Sequence, residues 1–235
     1  MIGLGTFYNT FAIILGGTLG MYCEMIITEK VQDTVMKACG LSVMFLGAWG
    51  ALEMMMGLTG TVTGGVAMIA ISLALGSLVG ELLDLDGKLE SFGLWLKVKS
   101  GSSGDDEFVD AFVTASLTVC IGAMAIVGSI QDGISGDTST LLLKSILDFI
   151  IILVMASSLG KGCIFSALPV FLLQGTITLL ATFIEPYITQ AALDNLSTVG
   201  NMLIFCIGVN LVQGKTFRVV NMLPGVLLAA AWAYF

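Results

Sequence analysis

The chain is 235 residues long, 57% hydrophobic and only 11% charged, with a mean hydropathy of +1.01; a water-soluble domain carries about 25% charged residues, so water is excluded as its main solvent. A net charge of −8 without a concentrated basic patch argues against nucleic acid as a partner. There is no histidine, and Cys23, Cys39, Cys120, Cys163 and Cys206 stand singly, so no ligand set for zinc or haem and no Ser-His-Asp triad is expected, nor any metal or cofactor.

Apolar runs of about 20 residues, the length an α-helix needs to cross about 30 Å of hydrocarbon, recur between short polar breaks. They predict an all-α integral membrane protein of about eight transmembrane helices, at residues 5–22, 38–56, 62–80, 111–130, 141–159, 163–184, 199–211 and 217–235. The first run has no basic n-region and no small-residue cleavage site, and reads as a retained span. The basic residues fall in alternate breaks: Lys30 and Lys37 after the first span, Lys88, Lys97 and Lys99 after the third, Lys161 after the fifth, Lys215 and Arg218 after the seventh. Short cytoplasmic loops collect Lys and Arg, so these breaks face the cytoplasm and both termini face away from it. The ninth basic residue, Lys144, lies inside the fifth span.

Between the spans, residues 24–37 mix charged and apolar groups and are expected at the cytoplasmic interface, with 185–198 as their counterpart on the outer side. Leu85, Leu89, Phe92 and Leu96 recur at helical spacing beside Lys88, Glu90, Lys97 and Lys99, the pattern of an interfacial amphipathic helix. A Ser-Gly-Ser-Ser-Gly-Asp-Asp-Glu stretch follows and reads as a flexible, solvated linker. The expected organisation is a front repeat at 1–84, the interfacial helix and linker at 85–108, two central spans at 109–160 and a back repeat at 161–235.

The repeat rests on Gly17-Thr18, Gly40 and Phe45, matched by Gly175-Thr176, Gly200 and Phe205. Five spans separate the two copies, so spans one to three and six to eight would enter the membrane from opposite faces, as in transporters built from inverted repeats. Gly16-x-x-x-Gly20 and Gly76-x-x-x-Gly80 are spacings that let helices approach closely.

Lys144 and Asp148 are four residues apart on one helical face, Asp148 about 10 Å inside the span. The pair is either structural or the site of a coupling ion, proton or charged solute, because an unpaired carboxylate at that depth is costly. Ser129, Gln131 and Asp132 stand in Gly128-Ser-Ile-Gln-Asp-Gly133, read either as backbone unwound to expose carbonyls or as an external turn, at the membrane level of Lys144. Gln174 near the middle of span six, with Pro169 as a kink before it, and Asn9 in span one are further polar groups able to line a path or to bond neighbouring helices.

Gly122-Ala-Met-Ala-Ile-Val-Gly-Ser-Ile-Gln-Asp-Gly133, Leu143-Lys-Ser-Ile-Leu-Asp148, Ala156-Ser-Ser-Leu-Gly160 and Gln174-Gly-Thr176 resemble the bacterial membrane family known as domain of unknown function 554, the YqgA-like proteins. The resemblance covers nearly the whole chain and implies a multi-span protein of the bacterial inner membrane, with no catalytic or binding residues to carry over. From the residues themselves, inverted topology and buried charge point to a small secondary transporter or channel-like permease for an ion or small polar solute. The alternative is a non-transporting sensor or scaffold that binds a partner through its cytoplasmic face. No nucleophile, base and orienting group stand at recognisable spacing, so an enzyme is not expected. A homodimer is expected from the habit of small symmetric membrane proteins.

Overall fold

Long runs of Leu, Ile, Val, Ala and Gly without interior charge leave the backbone one way to satisfy its own N–H and C=O groups in hydrocarbon, the helix. The computed structural model describes residues 2–24, 29–57, 62–99, 101, 107–120, 123–184 and 189–235, and all of its regular structure among these is helical. In chain order the helices are α1 (Leu4–Glu24), α2 (Glu29–Met55), α3 (Gly65–Leu83), α4 (Leu85–Lys99), α5 (Phe108–Cys120), α6 (Ala123–Ser135), α7 (Ser139–Leu159), α8 (Ala167–Ile184), α9 (Gln190–Gln213), α10 (Val219–Met222) and α11 (Pro224–Trp232), with a 3₁₀ turn at Lys161–Ser166 leading into α8.

Among the described residues, four helices are long and apolar enough to cross a membrane: Gly65–Leu83, Ser139–Leu159, Lys161–Phe183 and Gln190–Gln213. A fifth crossing is present if α5 and α6, inclined by 62° to each other, form one broken span. The chain is thus a multi-pass helical membrane protein. Gly40–Met55 and Val219–Trp232 are shorter apolar helices.

The helices group into two units. The first contains Met1–Cys39, Glu90–Cys120 and Met124–Glu185. In it α1 lies along α7, and the two run parallel: Gly5 meets Leu141, Gly16 meets the Phe149 carbonyl and Gly20 meets the Leu153 carbonyl. A Cβ on Gly16 would come within 2.6 Å of that oxygen, so the small-residue spacing in α1 serves close packing. The 3₁₀ turn packs on α5, with Phe165 against Phe108 at 5.1 Å between ring centroids and Gly162 against the Phe108 carbonyl. Pro169 falls in the first turn of α8, where its missing N–H has no helical partner to lose, so the expected mid-span kink is instead a change from 3₁₀ to α geometry. Asp137 sits outside the helix it precedes; the Ser139 N–H donates to its Oδ1 at 3.0 Å and holds its carboxyl below the usual carboxylate range.

The second unit consists mainly of Gly40–Leu89 and Pro186–Phe235. Here α3 runs antiparallel to α10 and α11: Gly64 meets Trp232, Gly76 meets Gly225 and Gly80 meets the Asn221 carbonyl. Met68, Ile69, Val199 and Ala229 form a buried apolar cluster lined by Val62, Leu73, Met202, Val226 and Trp232. At one end, the Asn221 amide accepts from the Asp86 N–H at 2.8 Å and donates to Glu81 at 2.6 Å, Arg218 pairs with Glu81, and Lys215 reaches Asp86 at 3.0 Å.

The two segments expected at the interfaces are helical where they are described. Residues 29–37 begin the 27-residue α2, and 190–198 begin the 24-residue α9. In α9 the polar side chains are satisfied without leaving the helix: Thr189 accepts from the Ala192 N–H, Ser197 and Thr198 donate to the carbonyls four residues back, and Asn195 exchanges bonds with Thr63. The helix expected around Leu89 and Phe92 is α4, with Phe92 against Phe112 at 5.9 Å between ring centroids. The linker expected from Ser100 lies almost wholly outside the described residues.

Candidate functional site

Asn9, Ser129, Gln131, Asp132, Lys144, Asp148 and Gln174 all belong to the first unit. They divide into two groups by what their side chains touch.

The first group belongs to helix architecture. Gly128-Ser-Ile-Gln-Asp-Gly133 is neither unwound nor a turn but lies within α6. Its glycines serve close packing: a Cβ on Gly128 would meet Leu141 at 2.9 Å, and one on Gly133 would meet Ala181 at 2.5 Å. Asp132 is wholly buried and its two carboxylate oxygens accept from the Gly3 N–H at 3.1 Å and the Gly5 N–H at 2.9 Å. It therefore caps the first turn of α1 from another helix, placing negative charge where unpaired N–H groups and the helix dipole favour it. Ser129 donates to the Ala125 carbonyl of its own helix at 2.6 Å, and Gln131 accepts from Thr140 at 2.7 Å.

The second group lies deeper. Asp148 is nine residues past Ser139, about 14 Å along α7 at 1.5 Å per residue. Lys144 and Asp148 are 7% and 3% exposed, and the Lys144 Nζ donates to the Asp148 Oδ2 at 2.6 Å. The same ammonium donates to the Val119 carbonyl at 2.8 Å. Val119 stands near the described end of α5, ahead of the 62° change of direction between α5 and α6. Cys120 itself lies within the electrostatic reach of both Lys144 and Asp148.

Two buried amides lie on α1 and the helices packed around it. Asn9, wholly buried on α1 itself, lies against Asp148 and interacts with its carboxylate. Gln174 is 1% exposed and its Oε1 and Nε2 have no hydrogen-bond partner. It sits between Phe171, whose ring meets Phe7, and Thr178, whose hydroxyl is 3.5 Å from that of Thr6, and so belongs to the face of α8 that meets α1. Asn9 is one turn beyond Thr6 on the same side of α1. Ser116 of α5 is a further buried hydroxyl without a partner, and composition gave no reason to single it out. Ser145 donates to the Leu141 carbonyl and is accounted for.

The structure therefore brings Lys144, Asp148 and Asn9 together, sets Gln174 on the face of α8 that meets α1, and gives Asp132, Ser129 and Gln131 structural partners. The Val119 carbonyl escaped sequence reasoning because a backbone group has no residue signature.

The family described as protein of unknown function (DUF554) matches residues 4–234. The uncharacterized membrane protein YdfK of Bacillus subtilis (strain 168) is 30% identical over 224 residues, covering 95% of this chain and 93% of that protein. The uncharacterized protein YqgA of Escherichia coli (strain K12) is 28% identical over 240 residues, covering 97% of both chains. No solved structure matches the chain.

Proposed function

We propose, from the premise that this chain belongs to the DUF554 family, that it is a small secondary transporter or channel-like permease for an ion or small polar solute, working across the bacterial inner membrane. The observation that carries this reading is the Lys144–Asp148 ion pair buried inside a membrane-spanning helix, with the Asn9 side chain against Asp148. Ionisable groups at that depth are costly to bury and mark solute and ion paths, and the buried Gln174 amide of α8, without a hydrogen-bond partner, is a further polar group that a solute could satisfy.

In this reading eight spans are formed by α1, the apolar part of α2, α3, α5 with α6, α7, α8, α9, and α10 with α11. An inverted repeat of spans one to three and six to eight is supported by neighbours: α1 lies against α8, α2 against α9 and α3 against α11, each pair antiparallel. Gly40 meets Gly208 and Leu211, and Gly47 meets Asn201 and Phe205, which sets the direction of the α2–α9 pair. Such pairs are what two copies inserted from opposite faces would give. The basic breaks face the cytoplasm and both termini face outward.

The test is thermal unfolding of the detergent-purified protein against inorganic ions, small carboxylates, amino acids and sugars, with Asp148→Asn in parallel. A ligand at 100 times its Kd stabilises by about 2.7 kcal/mol. A shift lost in Asp148→Asn supports the reading, and a shift that survives it unchanged removes Asp148 from the site. A second reading, a membrane sensor or scaffold, is favoured by α4, which exposes Leu94, Trp95 and Val98 beside basic residues. Deleting residues 100–106 would then abolish partner binding and leave flux intact.

A further inference from the structure

We propose that the outward face of α4 is a docking surface for an anionic phospholipid bilayer, with Leu94, Trp95 and Val98 entering the acyl boundary and Lys88 and Lys99 binding headgroup phosphates. The inference needs only the membrane setting of the chain and goes beyond the transport reading without resting on it.

The periodicity of this helix assigns its apolar face to Leu85, Leu89, Phe92 and Leu96, and the structure turns that face into the protein. Leu96 is buried, Phe92 lies against Phe112, and a Cβ on Gly93 would meet Val109 and Phe112 at 3.1 Å. A second apolar strip is left on the other side. Leu94 and Trp95 are each 53% exposed and Val98 is 68% exposed, and their spacing sets all three along one side of the helix. Lys88 and Lys99, both exposed, border the Trp95 edge of the strip; Lys97 and Glu90, of opposite charge, lie along its other edge.

The position of the strip names what covers it. A single residue, Asp84, separates the end of α3, long and apolar enough to span a membrane, from the start of α4. Asp84 is left-handed, with φ 47°, which ends α3 sharply, and its Oδ1 accepts from the Gly87 N–H at 3.3 Å in the first turn of α4. Further along, α4 rests through Phe92 and Gly93 on the opening turns of α5, the first half of the candidate broken span. The strip is thus held at a membrane boundary, where an indole ring and neighbouring aliphatic groups settle between headgroups and acyl chains and where lysines meet phosphate. A soluble protein is a poor occupant by comparison, because three side chains fall far short of the roughly 800 Å² per partner that a specific interface buries.

The full-length protein is reconstituted in equimolar phosphatidylcholine and phosphatidylglycerol, with one or the other lipid brominated near the top of its acyl chains. The Trp95 fluorescence is read as the difference between the unmodified protein and Trp95→Phe, which keeps a ring against Phe92; Trp95→Tyr serves the same subtraction if the Phe variant fails to fold. Bromolipid should quench Trp95 strongly and aqueous acrylamide weakly. Brominated phosphatidylglycerol should quench more than brominated phosphatidylcholine, the local enrichment reaching about fivefold for each lysine engaged. Lys88→Gln with Lys99→Gln, or high salt, should bring the two lipids to equality and leave quenching by bromine in place. Quenching by acrylamide without quenching by bromolipid puts the face in water and overturns the proposal. Protection from both means that a second copy of the chain covers the face, and overturns it as well. Equal quenching by the two lipids in the unmodified protein, or a preference that survives the loss of both lysines, overturns the assignment of anionic headgroups to Lys88 and Lys99.

Discussion

Lys144 and Asp148 stabilise the fold only together. Each has surrendered its hydration, so removing one partner strands the other, at about 3 kcal/mol or more, whereas replacing both by apolar groups of similar size costs far less. In thermal unfolding, Asp148→Asn and Lys144→Met should each destabilise the protein, and the double variant should be more stable than the sum predicts, a coupling of about 1 kcal/mol or more. A double variant that loses the full sum would mean the two side chains act independently. Asp132 makes a different demand. Its oxygens hold the Gly3 and Gly5 N–H groups, so Asp132→Ala should cost about 1 kcal/mol and speed amide exchange in the first turn of α1, while Asp132→Asn, still an acceptor, should lose less.

At the level of helices, glycine separates packing from freedom. Gly76 and Gly80 of α3 lie against the Gly225 and Asn221 backbone, leaving no room for a methyl group, and substitution by Ala should destabilise by about 1–3 kcal/mol. Gly175 of α8 has open space around it and an ordinary helical backbone, so Gly175→Ala should be neutral or stabilise by up to about 1 kcal/mol. Unfolding temperatures of the three variants decide the order. The same contrast shows what was legible in the sequence. Gly16, Gly20, Gly76 and Gly80 were readable as contact points because a four-residue spacing is a local signal. The helical setting of the α6 glycines was not legible because turn composition is local too, whereas Ala181, the close neighbour of Gly133, lies on another helix. The bonds of the polar residues at the start of α9 were illegible for a similar reason: Thr63, the partner of Asn195, is 132 residues away. The Lys144–Asp148 pair was legible because both partners lie one helical turn apart, and the role of Asp132 was not because its partners, Gly3 and Gly5, lie 129 and 127 residues away in the chain.

For the whole molecule, sidedness is the property that the transport reading needs. Asp137, between α6 and α7, and Lys215, between α9 and α10, are both exposed. With the native cysteines replaced, Asp137→Cys should react with an impermeant maleimide added outside intact cells and Lys215→Cys only after the membrane is opened. Reaction of both from outside would refute the orientation deduced from the basic breaks.

The capping of α1 by Asp132 also bears on how the protein is made. Helix α1 obtains the acceptor for its Gly5 N–H from a residue 127 positions later in the chain. At about 5–20 residues per second, α1 waits roughly 6–25 s before that partner exists. Until then the first turn of α1 must be served by headgroups, water or the insertion machinery, and the first unit cannot close until Asp132 has been made.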